Sequence, residues 1–226
     1  EVAHDQAALY RELLEKYRGE ILEQVDEQGV SGASFDILQA LMRLRQSVLF
    51  PGMLGKEYEK ISSSKFDVLK FHLRDIIEED HKILIFSQFV KSLTYIREWL
   101  EEEEIEYSYL DGSTRDRQSE IEAFQKDPNR KVFLISLKAG GTGINLTAAD
   151  YVMIFDPWWN PAAEAQAIDR THRIGQTRPV TAYRFIMKGT IEEKILEMQN
   201  RKKKLVDDLI TTEESMFKDM SRDDLE

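Results

Sequence analysis

The sequence predicts an α/β protein, a parallel β-sheet sandwiched by helices with a helical annex in front of it. Three observations predict this. Five β-rich apolar runs, starting at residues 82, 106, 131, 151 and 180, are separated by helical patterns, as parallel strands joined by crossovers require. The stretch before residue 63 holds helical periodicity and no strand signal. Glycines, hydroxyls and charged groups gather just after the apolar runs, and a parallel sheet binds ligands at the carboxyl ends of its strands.

Taken in order, Leu9, Leu13, Tyr17, Ile21 and Val25 recur every four residues and predict an amphipathic helix over 5–28. Gly29 and Ser31-Gly32 stop it. Ser34 is suited to cap a second helix with Phe35, Leu38, Leu41, Met42 and Arg45 on its inner side. Pro51-Gly52 and Gly55 then break the pattern, so 1–62 reads as the annex. From 63 the elements alternate. A helix over 65–78 leads into the run 82–87, a helix over 90–103 into 106–110, and a helix over 115–125 into 131–136. The run 151–156, a helix through 166–176, the run 180–186 and a last helix over 190–208 complete a lobe spanning 63–210. Arg201-Lys-Lys-Lys204 near its end is either a solvated helix end or a partner contact. Residues 211–226 are acidic, lack periodicity and read as a disordered tail.

Composition removes several function classes. Of 226 residues, 42% are hydrophobic and 32% charged, an ordinary globular mix. No apolar run approaches the roughly 18 residues of a membrane span, so no membrane partner is expected. The absence of Cys excludes disulfides and thiolate metal sites and fits a reducing compartment. His4, His72, His81 and His172 have no metal-ligand spacing, and no metal site is expected. The chain opens on Glu rather than Met, which suggests a piece of something longer. Its net charge of −11 is uneven: 136–205 is net basic, whereas the segments before and after are net acidic. Local sign decides where a polyanion lands.

That basic segment contains Gln166-Ala-Ile-Asp-Arg170-Thr-His-Arg173-Ile-Gly-Gln176. On a helix, Gln166, Arg170 and Arg173 share one face at i, i+4 and i+7. Two guanidiniums aimed from one rod can neutralise the charge of a phosphoryl-transfer transition state. The bland alternative is a solvated face with an Asp169–Arg173 ion pair. Four polar loops follow the first four apolar runs: Ser87-Gln88-Phe89, Asp111-Gly-Ser-Thr114, Ser136 to Asn145, and Asp156 to Pro161. In the second, a glycine and two hydroxyls at a helix start would seat a phosphate, unless they form only a turn and cap. In the third, Gly140, Gly141, Gly143 and Lys138 let backbone N–H groups approach an anion. No G-x-x-x-x-G-K-[ST] loop occurs, since Gly55-Lys56 runs into Glu57, and Asp26-Glu27 lies inside a helix. A domain with paired arginines and no triphosphate cradle is half of a nucleotide site.

Together these stretches resemble the second, C-terminal motor lobe (helicase C-terminal domain) of the Swi/Snf family of DNA-dependent ATPases, within the RecA-type motors. Matching segments are 83–89, 109–114, 136–150, 152–161 and 166–176, with Tyr183 to Glu192 behind them. The resemblance implies a RecA-like sheet and Arg170 and Arg173 as arginine fingers with Gln166 alongside. It places Gly143 and Asn145 on the nucleotide side. It implies ATP with Mg held mainly by a missing N-terminal RecA-like lobe of the same polypeptide. It also implies double-stranded DNA contacted by Ser87, Gln88, Gly112, Ser113, Lys138, Gly140, Gly141, Thr142 and Trp159, with Trp158 equally suited to core packing. A DNA-bound protein substrate is a further implied partner.

One departure stands out. Many members carry Cys-Asn-His-Pro where this chain reads Ser47-Val-Leu-Phe-Pro51, which leans towards a prokaryotic or archaeal relative; the expected location is cytoplasmic and nucleoid-associated in a prokaryote, nuclear in a eukaryote. Three rival functions remain. An unwinding helicase or RNA-dependent ATPase would displace strands, and an interaction module with a vestigial groove would not need intact arginines. A Rossmann oxidoreductase lacks its G-x-G-x-x-G.

Overall fold

The computed structural model describes residues 3–140, 146–169 and 178–205. The chain divides into two compact units, Glu1–Lys65 with Met187–Glu226, and Phe66–Ile186.

In the first unit, α1 (His4–Gly32) buries Gln6, Leu9, Tyr10, Ile21 and Val25. Gly29, at φ 74°, breaks it where the sequence predicts a stop, and one further helical turn follows. α2 (Ser34–Leu49) starts differently from expectation. Ala33 is its N-cap and no side chain caps it, so Ser34 is the first helical residue. Its buried stripe is Ile37, Leu41, Leu44 and Val48 with Arg45, while Phe35 is 71% exposed. Phe35 lies two residues before Ile37, about 200° round the helix from that stripe. Two 3-10 turns follow at Pro51–Met53 and Lys56–Tyr58. α8 (Ile191–Leu205) belongs to this unit, whereas the sequence attaches it to the sheet segment. Tyr10, Leu44, Val48 and Met187 form a small core with Leu13, Tyr17 and Ile191 at its rim. The Lys65 ammonium meets both Glu192 oxygens at 2.5 Å, with both side chains buried.

In the second unit, five strands pair in the order β2-β3-β1-β4-β5, and every pairing is parallel. They are β1 (Ile83–Ser87), β2 (Tyr107–Leu110), β3 (Val132–Ser136), β4 (Tyr151–Ile154) and β5 (Thr181–Arg184). This is the RecA-like parallel sheet that the sequence predicts. Successive strand residues face opposite sides. One side carries Leu84, Phe86, Phe133, Ile135, Val152 and Ile154, which pack with Phe124 of α5 (Arg117–Lys126) and Ile168 of α7 (Pro161–Asp169). The other carries Ile83, Ile85, Val132, Leu134 and Met153, all fully buried. There α4 (Val90–Glu102) packs on β1 and β3. The ring of Phe66, on α3 (Ser64–Glu78), meets Trp99 of α4 edge-on at 6.0 Å.

At the amino end of this sheet polar groups pair with one another. Lys82 donates to the carbonyls of Phe124 and Asp127. Lys131 pairs with Asp80, and the buried Asp150 carboxylate accepts from His81 at 2.6 Å and from Arg178 at 3.2 Å. Burial, its largest influence, pulls the Lys82 ammonium below its ordinary range.

Candidate functional site

Topology fixes the site before any side chain does. β3 and β4 flank β1 on opposite sides, and the chain passes from one to the other, so loops leave the carboxyl ends of β1 and β4 in diverging directions. A crevice at such a switch point is where open α/β sheets bind ligands.

Asp156 staples the two strand ends. Ser87 Oγ donates to its Oδ1 at 2.5 Å, and the Gln88 N–H reaches both carboxylate oxygens at 3.2 Å. The Gln88 amide donates to the Pro157 carbonyl at 3.0 Å, and the Phe89 N–H donates to Ser87 Oγ at 3.1 Å. Ser87 and Asp156 are fully buried. The Ser87 hydroxyl, expected to touch DNA, is therefore engaged on both its donor and acceptor sides, and Gln88 beside it is half-buried.

After β2, the Asp111 carboxylate gathers the loop onto itself. It accepts from Ser113 N–H at 2.8 Å, Ser113 Oγ at 2.7 Å and Tyr109 OH at 3.1 Å. Burial raises the Asp111 pKa, but hydrogen bonds from Ser113, Tyr109 and Thr114 outweigh it and hold the carboxyl below the usual range. The helix does not start here as expected. Asp116 is the N-cap, accepting from the Ser119 N–H at 3.0 Å, and α5 begins at Arg117. The hydroxyls thus shape an Asx-type turn instead of capping a helix. Gly112 and Ser113 remain exposed at its tip, and a Cβ on Gly112 would meet nothing within 4 Å.

After β3 comes a short helix, α6 (Leu137–Gly140), that the sequence does not signal. Lys138 is exposed on it, and Arg117 donates to the Ala139 carbonyl at 2.5 Å, tying α5 to this loop. Gly141, Thr142, Gly143 and Asn145 lie outside the described residues. So do Arg170 and Arg173, and with them the alternative Asp169–Arg173 pair.

After β4, Trp158 is buried edge-on against Phe86 at 6.2 Å. Trp159 is only 4% exposed, which corrects the expectation of a surface aromatic. The loop is drawn in because Asn160 Oδ1 caps α7 at Ala162 N–H, 2.9 Å, with Pro161 at the first helical position. Glu164 on α7 is a feature that sequence reasoning misses. It is fully buried, accepts from Trp158 N–H at 2.8 Å and pairs with Arg184 at the end of β5. Its only sequence signal is a charged residue in an otherwise apolar first turn. Gln166, two residues on, is exposed.

Comparison with known proteins fits this geometry. A model of the helicase conserved C-terminal domain matches residues 64–175. The solved C-terminal domain of the Sulfolobus solfataricus SWI2/SNF2 ATPase is 32% identical, with a TM-score of 0.78 over 99% of this chain and 92% of that one. The chain belongs to the SWI2/SNF2 ATPase family. It corresponds to the C-terminal lobe of that motor. The ATPase core of the same Sulfolobus protein, solved in complex with dsDNA, is 33% identical over the whole chain and 47% of its own, with a TM-score of 0.79. An uncharacterized ATP-dependent helicase of Mycoplasma pneumoniae is 38% identical over 223 residues. This SWI2/SNF2 lobe covers 96% of itself in that match but spans only 21% of the helicase.

Proposed function

We propose that this lobe is the second half of an ATP-driven double-stranded DNA translocase. The observation that carries the reading is the carboxyl edge of the sheet, where Gly112, Ser113 and Lys138 stand exposed at the ends of the adjacent strands β2 and β3. An exposed ammonium beside a bare glycine turn suits a sugar–phosphate backbone and carries no base-reading groups. The solved dsDNA complex of a relative supports this choice of polyanion. Gln88, Gly140, Gly141 and Thr142 extend the surface in the proposal, while Ser87 acts from beneath as the brace of Asp156.

ATP would lie between this lobe and an N-terminal RecA-like lobe of the same polypeptide. This chain carries no G-x-x-x-x-G-K-[ST] loop, so the proposal assigns Mg²⁺, with most of the triphosphate, to the first lobe. Exposed Gln166 fits the edge of such a site, with Gly143 and Asn145 facing the nucleotide and Arg170 and Arg173 as fingers. The fingers supply positive charge as negative charge develops on the transferring phosphoryl group. Closure over ATP would move one lobe along the duplex, and hydrolysis would reset it.

The test is ATP hydrolysis by the full-length protein with double-stranded DNA, single-stranded DNA or RNA. Stimulation by duplex DNA without strand displacement is the expected result. Displacement of strands, or preference for RNA, would favour the helicase reading, and no hydrolysis with any of them would favour an interaction module.

A further inference from the structure

Glu164 and Arg184 form an ion pair in which the glutamate is fully buried and the arginine side chain is 36% exposed. Taking a carboxylate out of water costs several kcal/mol, and well-packed apolar residues in place of a buried pair are often as stable or more so. Stability alone is therefore a weak reason for charge at this point. The geometry offers a better one. One carboxylate oxygen is held by the Trp158 N–H at 2.8 Å, fixing α7 to the exit of β4. Arg184 ties the same carboxylate to the end of β5. Ile168, one turn further along α7, packs into the core on the same side. These attachments oppose rotation of α7 about its axis. Exposed Gln166 lies about 200° round the helix from Glu164, on the opposite side.

We propose that Glu164, with Arg184 as its partner, is a positioning residue for ATP hydrolysis: it sets the rotation of α7 and so aims the face that carries Gln166. The inference rests on the proposed function, because without nucleotide on that face there is nothing to aim. Catalytic groups displaced by about 1 Å lose on the order of 100-fold in rate, so a rotational lock on this helix acts on turnover even though it touches no substrate.

Three proteins in the full-length background test it, each read by kcat, KM for ATP, DNA affinity and melting temperature. In Glu164→Gln the amide still accepts from Trp158 but no longer holds Arg184 by charge. Its kcat should fall about 10- to 100-fold, with KM and DNA affinity within about twofold of the parent. Glu164→Leu combined with Arg184→Met fills the site with apolar volume and should recover the melting temperature without recovering kcat. A structural role predicts the reverse, with kcat returning as stability returns, and that result would overturn the proposal. Arg173→Ala is the control for the underlying reading. If it keeps full turnover, the arginine role fails; if it is inactive while Glu164→Gln is normal, only the positioning role fails.

Discussion

The two ends of the parallel sheet use similar polar residues for different work. At the amino end, Lys82, Lys131, Asp80, His81, Asp150 and Arg178 bond to one another or to backbone carbonyls. At the carboxyl end the acids turn inward, Asp156 onto Ser87 and Gln88, Asp111 onto Ser113 and Tyr109, and Glu164 onto Arg184. Beside them at the same end of the sheet, Gly112, Ser113, Lys138 and Gln166 are exposed. The amino end is closed by its charges, whereas the carboxyl end uses buried charges to hold an open surface in shape. Residue type alone does not separate these roles; burial and bonding do.

The largest effect should come from the arginines. In the full-length protein, Arg173→Ala, and to a similar degree Arg170→Ala, should depress DNA-stimulated turnover on the order of 10³–10⁵-fold while the fold and DNA binding persist. Lysine should rescue poorly, since an ammonium lacks the planar two-pronged contact. Near-normal kcat in Arg173→Ala would remove the fingers from the account. Next in size is the staple. Asp156→Ala removes the carboxylate that the buried Ser87 hydroxyl and the half-buried Gln88 N–H donate to, and a buried donor left without its acceptor costs about 1–3 kcal/mol, so the melting temperature should fall. A melting temperature within a degree of the parent would show that the two strand ends are held otherwise.

Most of the sheet was legible because β1 and β3 are continuous apolar runs, which only a strand covered on both faces can bury. The loops after the strands were legible in composition but not in direction. Trp159 follows an aspartate, a proline and another tryptophan, with no periodicity to reveal that its ring turns inward. The start of α5 was misplaced because Ser113, Thr114 and Asp116 all suit a cap, and only the bonds to Asp111 decide that the first two form a turn. The Glu164–Arg184 pair joins two elements through tertiary folding, and no local pattern announces it.

Smaller effects sharpen the contrast. The Asp111 carboxyl is held below its unfolded value, so its contribution is present above the ordinary carboxylate range and is lost as pH falls through the folded value. The melting temperature of Asp111→Asn should therefore lie below the parent's at pH 7, and the gap should close on acidification through about pH 4 and below. A gap that stays constant with pH would mean that charge plays no part in the turn. Gly112→Ala has open space and ordinary backbone geometry, so its melting temperature should not fall. A duplex that approaches this turn closely should nevertheless bind it more weakly, by a few-fold.

The contrast between the two ends is tested most directly by removing one lysine from each. Lys138 is exposed at the carboxyl end, and Lys131 pairs with Asp80 at the amino end. Binding of the chain to a duplex of arbitrary sequence would be measured against salt concentration for Lys138→Gln and Lys131→Gln. Each neutralised phosphate contributes about 0.9 to the log–log slope. The account predicts that Lys138→Gln flattens the slope by up to about one unit, while Lys131→Gln leaves it unchanged. Equal flattening by both, or a loss only with Lys131→Gln, would contradict it.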